Sequence, residues 1–370
     1  MKQAQSILRA GLADEVILFG RSKKPEPLDQ RTGNGIRLLR FDSRMDFLPK
    51  FKLFGCLKYG EFIYRQVSIA RRIRPSFIQC HSISSLPAAV LARSICRRPM
   101  VYDARELETE CNGLKGVNQA FVRKVERALI PRCDAVLCVS DSIADWYARE
   151  YHIPRPFVVR NVPDTRGQPE VANSDVLRQR FRIPGDAVIF IYSGALGLGR
   201  RVEQMIRIFR TVRQDRHLVF MGFGPLEGLV KEASASHPNI HFLPAVPPSE
   251  VLGLVAGANV GIVGVENNSL SYHLSLPNKL FEYLLSGIPF LAPDFPEMRR
   301  VLDTHHCGWV VGEADDQWRE RIEALDKEQT LATRERVLAA RNAFSWENEE
   351  KCLLEAYRQA ERKNGLPLNP

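Results

Sequence analysis

Nowhere does the sequence hold an apolar run near the roughly 18–20 residues a helix needs to cross a bilayer, so no helical membrane span is expected. The polar opening MKQAQSILRAGLADE lacks the apolar stretch of a signal peptide and reads as an amphipathic helix, so a cytoplasmic location is expected. The eight cysteines, at 56, 80, 96, 111, 133, 138, 307 and 352, form no CxxC pair and no metal-ligand grouping. With Cys80 and Cys138 set in apolar runs, buried free thiols are expected, and neither a disulfide framework nor a bound metal. No solenoid-period repeat and no low-complexity tract is present. Helix-turn-helix, zinc-finger and RNA-binding signatures are also absent, and nucleic acid is not an expected partner.

What is present is a globular composition, 45% apolar and 26% charged, over 370 residues. That length exceeds what a single core usually covers and points to two domains. Charge is uneven: through Asp164 there are 28 Lys and Arg against 17 Asp and Glu, then 24 against 26. The basic first part suits an anionic membrane surface or a phosphorylated substrate, or is simply a soluble cationic surface.

Short apolar runs alternate with helical patterns. Strands are expected at 15–20, 36–41, 77–82, 100–104, 135–140 and 157–161, then at 188–194, 217–222, 240–244, 260–265, 290–294 and 308–311. Helices such as 203–214 and 279–286 lie between them. Near-continuous apolar strands alternating with helices predict α/β architecture, with two doubly wound parallel sheets. The boundaries follow: an N-terminal domain at 1–164, a second at 165–345 opened by the polar stretch 165–174, and a long amphipathic helix from 346 ahead of a Pro/Asn tail. Because the first element is a helix leading into a strand, the first domain is expected to lack its opening strand and the loop after it.

Ligands of doubly wound sheets bind beyond the carboxyl ends of the strands, often with phosphate at a helix N-terminus. In YSGALGLGRRVEQMI (192–206), the spacing GxxGxG is not the dinucleotide fingerprint, so neither a nicotinamide nor a flavin cofactor is expected. Gly194 lets backbone approach a ligand there, and Arg200, with Arg201 as its alternate, either binds phosphate or is a solvated arginine. Gly222 and Gly224 in MGFGP suit a flat ring against backbone, or a plain tight turn. In SYHLSLPNKLFEYLLSGIPFLAPD (271–294), Pro277 suits the first turn of a helix that Gly287 closes. Backbone amides near Asn278 and Lys279 then form an anion site, with Glu282 one turn behind for ribose hydroxyls. The plain alternative is a Lys279–Glu282 surface ion pair.

This passage resembles the donor segment of retaining GT-B glycosyltransferases, the family 4-like or "group 1" kind. The resemblance extends to Asn161-Val-Pro-Asp164, Gly194 with Arg200, MGFGP, Gly308-Trp-Val-Val311 and the closing helix with Trp346; VYDARELETE (101–110) resembles the family's Asp-Ala-His-Glu stretch. It implies two Rossmann-like domains facing across a cleft, and a nucleotide diphosphate sugar donor. It also implies transfer with retention, to a cell-surface glycan or lipid-linked acceptor, and no metal or other cofactor. Glu282 would bind the ribose, and Arg200 and Lys279 the diphosphate, with Ser275, Leu276 and Asn278 around it. Asp103, Arg105 and Glu106 are the catalytic candidates on the acceptor side, Glu106 being preferred to Glu108 on helix-face grounds.

The sequence departs from that pattern at Leu274, where the first of two paired glutamates would stand, and at Arg105, where the family has a histidine. A permanent guanidinium is no general base. Two other functions stay open: a nucleotide-sugar-binding subunit without turnover, and a nucleotide-sugar 2-epimerase, for which the sequence offers few acid/base groups. The basic, aromatic stretch 51–65, continuing into Arg71–Pro75, fits either peripheral contact with an anionic membrane or a core-packed helix.

Overall fold

The computed structural model describes residues 1–22, 27–43, 52–167 and 174–365, with the side chains of 52–54 left aside. Most of the 165–174 connection, the start of the 51–65 stretch and the Pro/Asn tail therefore lie outside the described residues. The chain forms two compact units: Met1–Val159 with Glu349–Pro370, and Arg160–Asn348.

The first unit opens on helix α1 (Lys2–Arg9), then strands β1 (Val16–Arg21), β2 (Asp29–Thr32) and β3 (Ile36–Phe41). Helix α2 (Lys52–Ile73) leads to β4 (Ile78–His81), α3 (Leu86–Cys96), β5 (Met100–Asp103), α4 (Gly116–Leu129), β6 (Ala135–Cys138), α5 (Asp141–Tyr151) and β7 (Phe157–Val158). These strands make two sheets, in the orders β1-β3-β2 and β4-β5-β6-β7. All pairings are parallel except β2 with β3. β2 was not expected from the sequence. Its residues DQRT are polar and mostly exposed, and what pairs it is the Gly33-Asn34-Gly35 turn plus a bidentate Arg37–Asp29 ion pair, at 2.9 and 2.6 Å.

The second unit runs α6 (Val176–Phe181), β8 (Val188–Ser193), α7 (Val202–Phe209), β9 (Arg216–Gly222), α8 (Glu227–Ser236), β10 (Ile240–Pro244), α9 (Pro248–Val255) and β11 (Val260–Ile262). It continues with α10 (Leu270–Leu274), α11 (Asn278–Leu285), β12 (Phe290–Pro293), α12 (Pro296–His305), β13 (Gly308–Val311), α13 (Asp315–Ala324) and α14 (Lys327–Arg341). Its six strands form one parallel sheet, ordered β10-β9-β8-β11-β12-β13. Strand alternation divides the core in two. Ile189 and Ile191 join Leu280, Phe281 and Leu284 on one face, while Val188, Phe190 and Tyr192 join Phe209 and Trp318 on the other.

Helix α15 (Trp346–Lys363) returns most of its length to the first unit. Tyr357 Oη donates to Gln79 Oε1 at 2.7 Å and its ring packs edge-on against Phe77. Lys363 Nζ donates to the Asp134 carbonyl at 2.7 Å. Gln79 donates to Gln3 at 2.9 Å, and Gln3 to Asp103 at 3.1 Å, so hydrogen bonds tie α15, β4, α1 and β5 together.

All eight cysteines are free, and Cys80, Cys138 and Cys307 are buried. Burial pushes the Cys138 thiol up to about 12, which leaves it an inert core group. The expectation of burial fails at Cys56, which is exposed on α2. Among the described residues, no helix is long and apolar enough to cross a membrane, and no three His, Cys, Asp or Glu side chains gather as a metal-binding group.

Candidate donor-binding site

In the second unit, the ends of β8 and β9 and the start of α11 converge. Pro277 caps α11 with φ −70° and ψ 144°, just before the first helical residue rather than inside it. The first-turn amides of such a helix have no partner within it. The helix stops at Gly287, whose φ of +68° suits glycine, and Ile288 N returns to the Tyr283 carbonyl at 3.0 Å.

Lys279 is the second residue of α11 and is 7% exposed. Its Nζ is buried, has no hydrogen-bond partner, and sits 3.4 Å from the centre of the Tyr192 ring. Burial, then repulsion from Arg200, pull its pKa well below the ordinary lysine value, against a smaller opposing pull from Glu282. The Arg200 guanidinium stacks on Tyr272 at 4.6 Å. Glu282 is held by Ser193, whose hydroxyl donates to Oε2 at 2.6 Å. Ser193 was not singled out in the sequence, since nothing local connects the end of β8 to a helix 89 residues further on.

The glycines build the floor. Gly194, at φ +114°, lies by Lys279: a methyl group on it would meet Lys279 Cε at 3.8 Å. A methyl on Gly222 would fall 1.8 Å from the Gly194 carbonyl oxygen, and one on Gly224 2.4 Å from that of Leu196. Gly194 N and Leu196 N donate to the carbonyls of Met221 and Phe223, at 2.9 and 2.8 Å. Gly222 and Gly224 thus let the loop after β9 seat the loop after β8.

Around the helix start, Asn278 Oδ1 accepts from Asn161 at 2.9 Å, Ser275 donates to the Tyr272 carbonyl at 3.2 Å, and Leu276 is buried in the core. Arg201 is a correction to its donor assignment. It is 4% exposed and donates to the Val265 carbonyl (2.8 Å), Gln204 (2.6 Å) and the Glu313 carbonyl (3.1 Å), all groups that pack the domain.

The acceptor-side candidates lie in the first unit. Asp103 ends β5 buried, with Oδ2 2.9 Å from His81 Nδ1 and 3.1 Å from Gln3. Burial pushes its carboxyl up, but His81, Gln3 and Arg105 outweigh that and hold it below the ordinary value. Arg105 takes a left-handed φ of +51° and its side chain is 63% exposed, with Nε 4.0 Å from Asp103. Glu106 is exposed, whereas Glu108 turns in and accepts from Ser82 Oγ and Ile83 N, both at 2.8 Å. The preference for Glu106 fails because residues 104–107 are not helical, so the helix-face argument does not apply to them. Burial raises the Glu108 pKa despite those two donors.

Comparison with known proteins bears on the family and the fold. The family model of Glycosyltransferase Family 4 matches residues 7–166, and that of Glycosyl transferases group 1 matches residues 187–327. No curated protein matches. Among solved structures, the sucrose-phosphate synthase of Thermosynechococcus elongatus is similar with a TM-score of 0.76 at 18% identity, over 98% of this chain and 92% of that one. Anabaena HepE, solved in complex with UDP and glucose, has a TM-score of 0.70 at 13% identity, over 93% and 100% of the two chains. The alpha,alpha-trehalose 6-phosphate synthase of Burkholderia multivorans has a TM-score of 0.63 at 13% identity, over 94% and 92%. Such identities bear on fold alone. With the two family models, which together span most of the sequence, they show a fold of the GT-B class with two Rossmann-like domains, and the chain belongs to the GT-B glycosyltransferases of the family 4, group 1 kind.

Proposed function

We propose that the protein moves a sugar from a nucleoside diphosphate sugar to a hydroxyl acceptor, with retention, and that the donor sits at the start of α11. The observation that carries this is the buried, unpartnered Lys279 side chain beside Arg200. Burial and Arg200 both disfavour a charge on Lys279, and an anion placed between them at the helix start relieves that. A diphosphate fits, and the same groups would stabilise charge developing on it as the glycosidic bond breaks. Glu282, steadied by Ser193, offers its other carboxylate oxygen to ribose hydroxyls. UDP is the nucleotide to test first, because HepE is solved with it.

On the acceptor side, His81 and Asp103 hold the floor, and Arg105 offers a guanidinium to an acceptor or sugar oxygen in place of the usual histidine. A glycan on a lipid carrier is the acceptor class this reading favours. Leu274 and Arg105 favour one rival, a subunit that binds the donor without turning it over. Calorimetry with UDP tests the site. Lys279→Ala and Glu282→Ala should each weaken binding, and unchanged affinity in both refutes the assignment. Transfer or hydrolysis of a UDP-sugar separates enzyme from binding subunit.

A further inference from the structure

Helices α2, α3 and α4 of the first unit follow one another and are in contact in that order. Each carries apolar side chains on its outer surface, spaced to share a helix face: Leu57 and Tyr64 on α2, Leu91 and Ile95 on α3, Val117 and Phe121 on α4. Val117 is 86% exposed and Phe121 66%. Monomeric proteins seldom leave several large apolar groups on neighbouring elements in water.

The charges on these helices are sorted. Their sequences contain only two acidic residues, Glu61 and Glu126. Neither faces out: Glu61 is 8% exposed, bonded to Ser43 and Arg65, and Glu126 is fully buried among Tyr102, Tyr147 and Tyr151. The outer surface holds cations instead. Arg71 and Arg72 close α2, Arg97 follows α3, Lys115 precedes α4 and Lys124 lies on it, all exposed.

We propose that this outer face of α2, α3 and α4 docks on an anionic lipid bilayer. Aliphatic and aromatic side chains enter the headgroup boundary, while Lys and Arg meet anionic headgroups, and the absence of outward acids removes what would repel them. Tyr64, 69% exposed, suits that boundary with an apolar ring and a polar tip. An apolar protein partner would gain nothing from so one-sided a charge. The proposal deepens the lipid-linked-acceptor reading, yet vesicle binding needs no turnover, so either can fail alone.

The test is flotation of the full chain with phosphatidylcholine vesicles, with and without about 30% phosphatidylglycerol, at low and at physiological salt. The expected result is partition to the anionic vesicles only, weakening as salt rises. Val117→Glu with Phe121→Glu should lower that partition by roughly tenfold or more, with UDP affinity and melting temperature unchanged. Lys115→Glu with Lys124→Glu, which touches no apolar contact, should do the same. Equal partition to neutral vesicles, partition unaffected by both double variants, or self-association in solution that Val117→Glu/Phe121→Glu abolishes would each overturn the proposal.

Discussion

If an anion binds at Lys279, it must change that residue's affinity for a proton. In the free protein, burial and Arg200 depress the ammonium's pKa, and Nζ has no hydrogen-bond partner. A bound diphosphate supplies both charge and acceptor, so the pKa rises on binding. Between the two values the complex holds a proton that the free protein lacks. Binding then takes up between zero and one proton, and affinity falls as pH rises through that window. Calorimetry of UDP in buffers of different ionisation enthalpy measures the number directly. Work above about pH 7.5 keeps the phosphates fully ionised, since their last pKa is about 6. Net proton uptake above about pH 7.5, where an ordinary exposed lysine would stay charged in the free and the bound state alike, is the expected result. Lys279→Met, which keeps the stem over Tyr192, should abolish it. The variant loses one charge-assisted hydrogen bond, about 1.5–3 kcal/mol, or roughly 10- to 150-fold in Kd. Zero uptake across the range together with unchanged affinity in the variant would refute the reasoning.

Gly222→Ala should lower both melting temperature and UDP affinity, because its methyl collides with the Gly194 carbonyl. Gly228→Ala, in α8 with open space around it, should instead stabilise by about 0.5–1 kcal/mol; thermal melts with and without UDP check both. Arg201→Met should cost stability in urea, about 1–3 kcal/mol for the carbonyls it strands, and leave UDP affinity intact. Glu126→Ala strips three buried tyrosine hydroxyls of their acceptor and should cost several kcal/mol, at roughly 1–3 for each. Burial, opposed by those three donors, raises the folded-state pKa of Glu126. Its contribution to stability is therefore full at low pH and lost as pH rises through that pKa, and Glu126→Gln should flatten this slope in urea midpoints measured against pH.

A strand buried on both faces is legible because it must be almost wholly apolar: VIFIYS is buried at every position of Val188–Ser193, where a strand over 188–194 was expected. β2 was illegible for the converse reason, being a polar edge strand held by a turn and an ion pair. The start of α11 could be found from Pro277, Lys279 and Glu282 because its chemistry is local to one turn. Ser193 could not, since its link to Glu282 exists only once the sheet has formed. Arg200 and Arg201 are neighbours of equal charge, and only the backbone's φ of +54° at Arg201 and the carbonyls waiting for it separate their roles. Glu106 lies in a non-helical stretch, 104–107, and Glu108 opens a single 3-10 turn, so no common helix face relates them to Asp103.

The first unit is assembled from two separated stretches, 1–159 and 349–370, with the whole of the second between them. On a ribosome, that order matters. Residues 160–348 are one continuous block and can close their sheet as soon as they emerge, while Gln79, Phe77 and the Asp134 carbonyl wait for Tyr357 and Lys363. The later-made unit can therefore finish first, and the earlier one stays open to chaperones until its last helix arrives. A late nonsense codon that removed that helix would leave residues 160–348 whole and strip the other unit of the Tyr357 and Lys363 contacts.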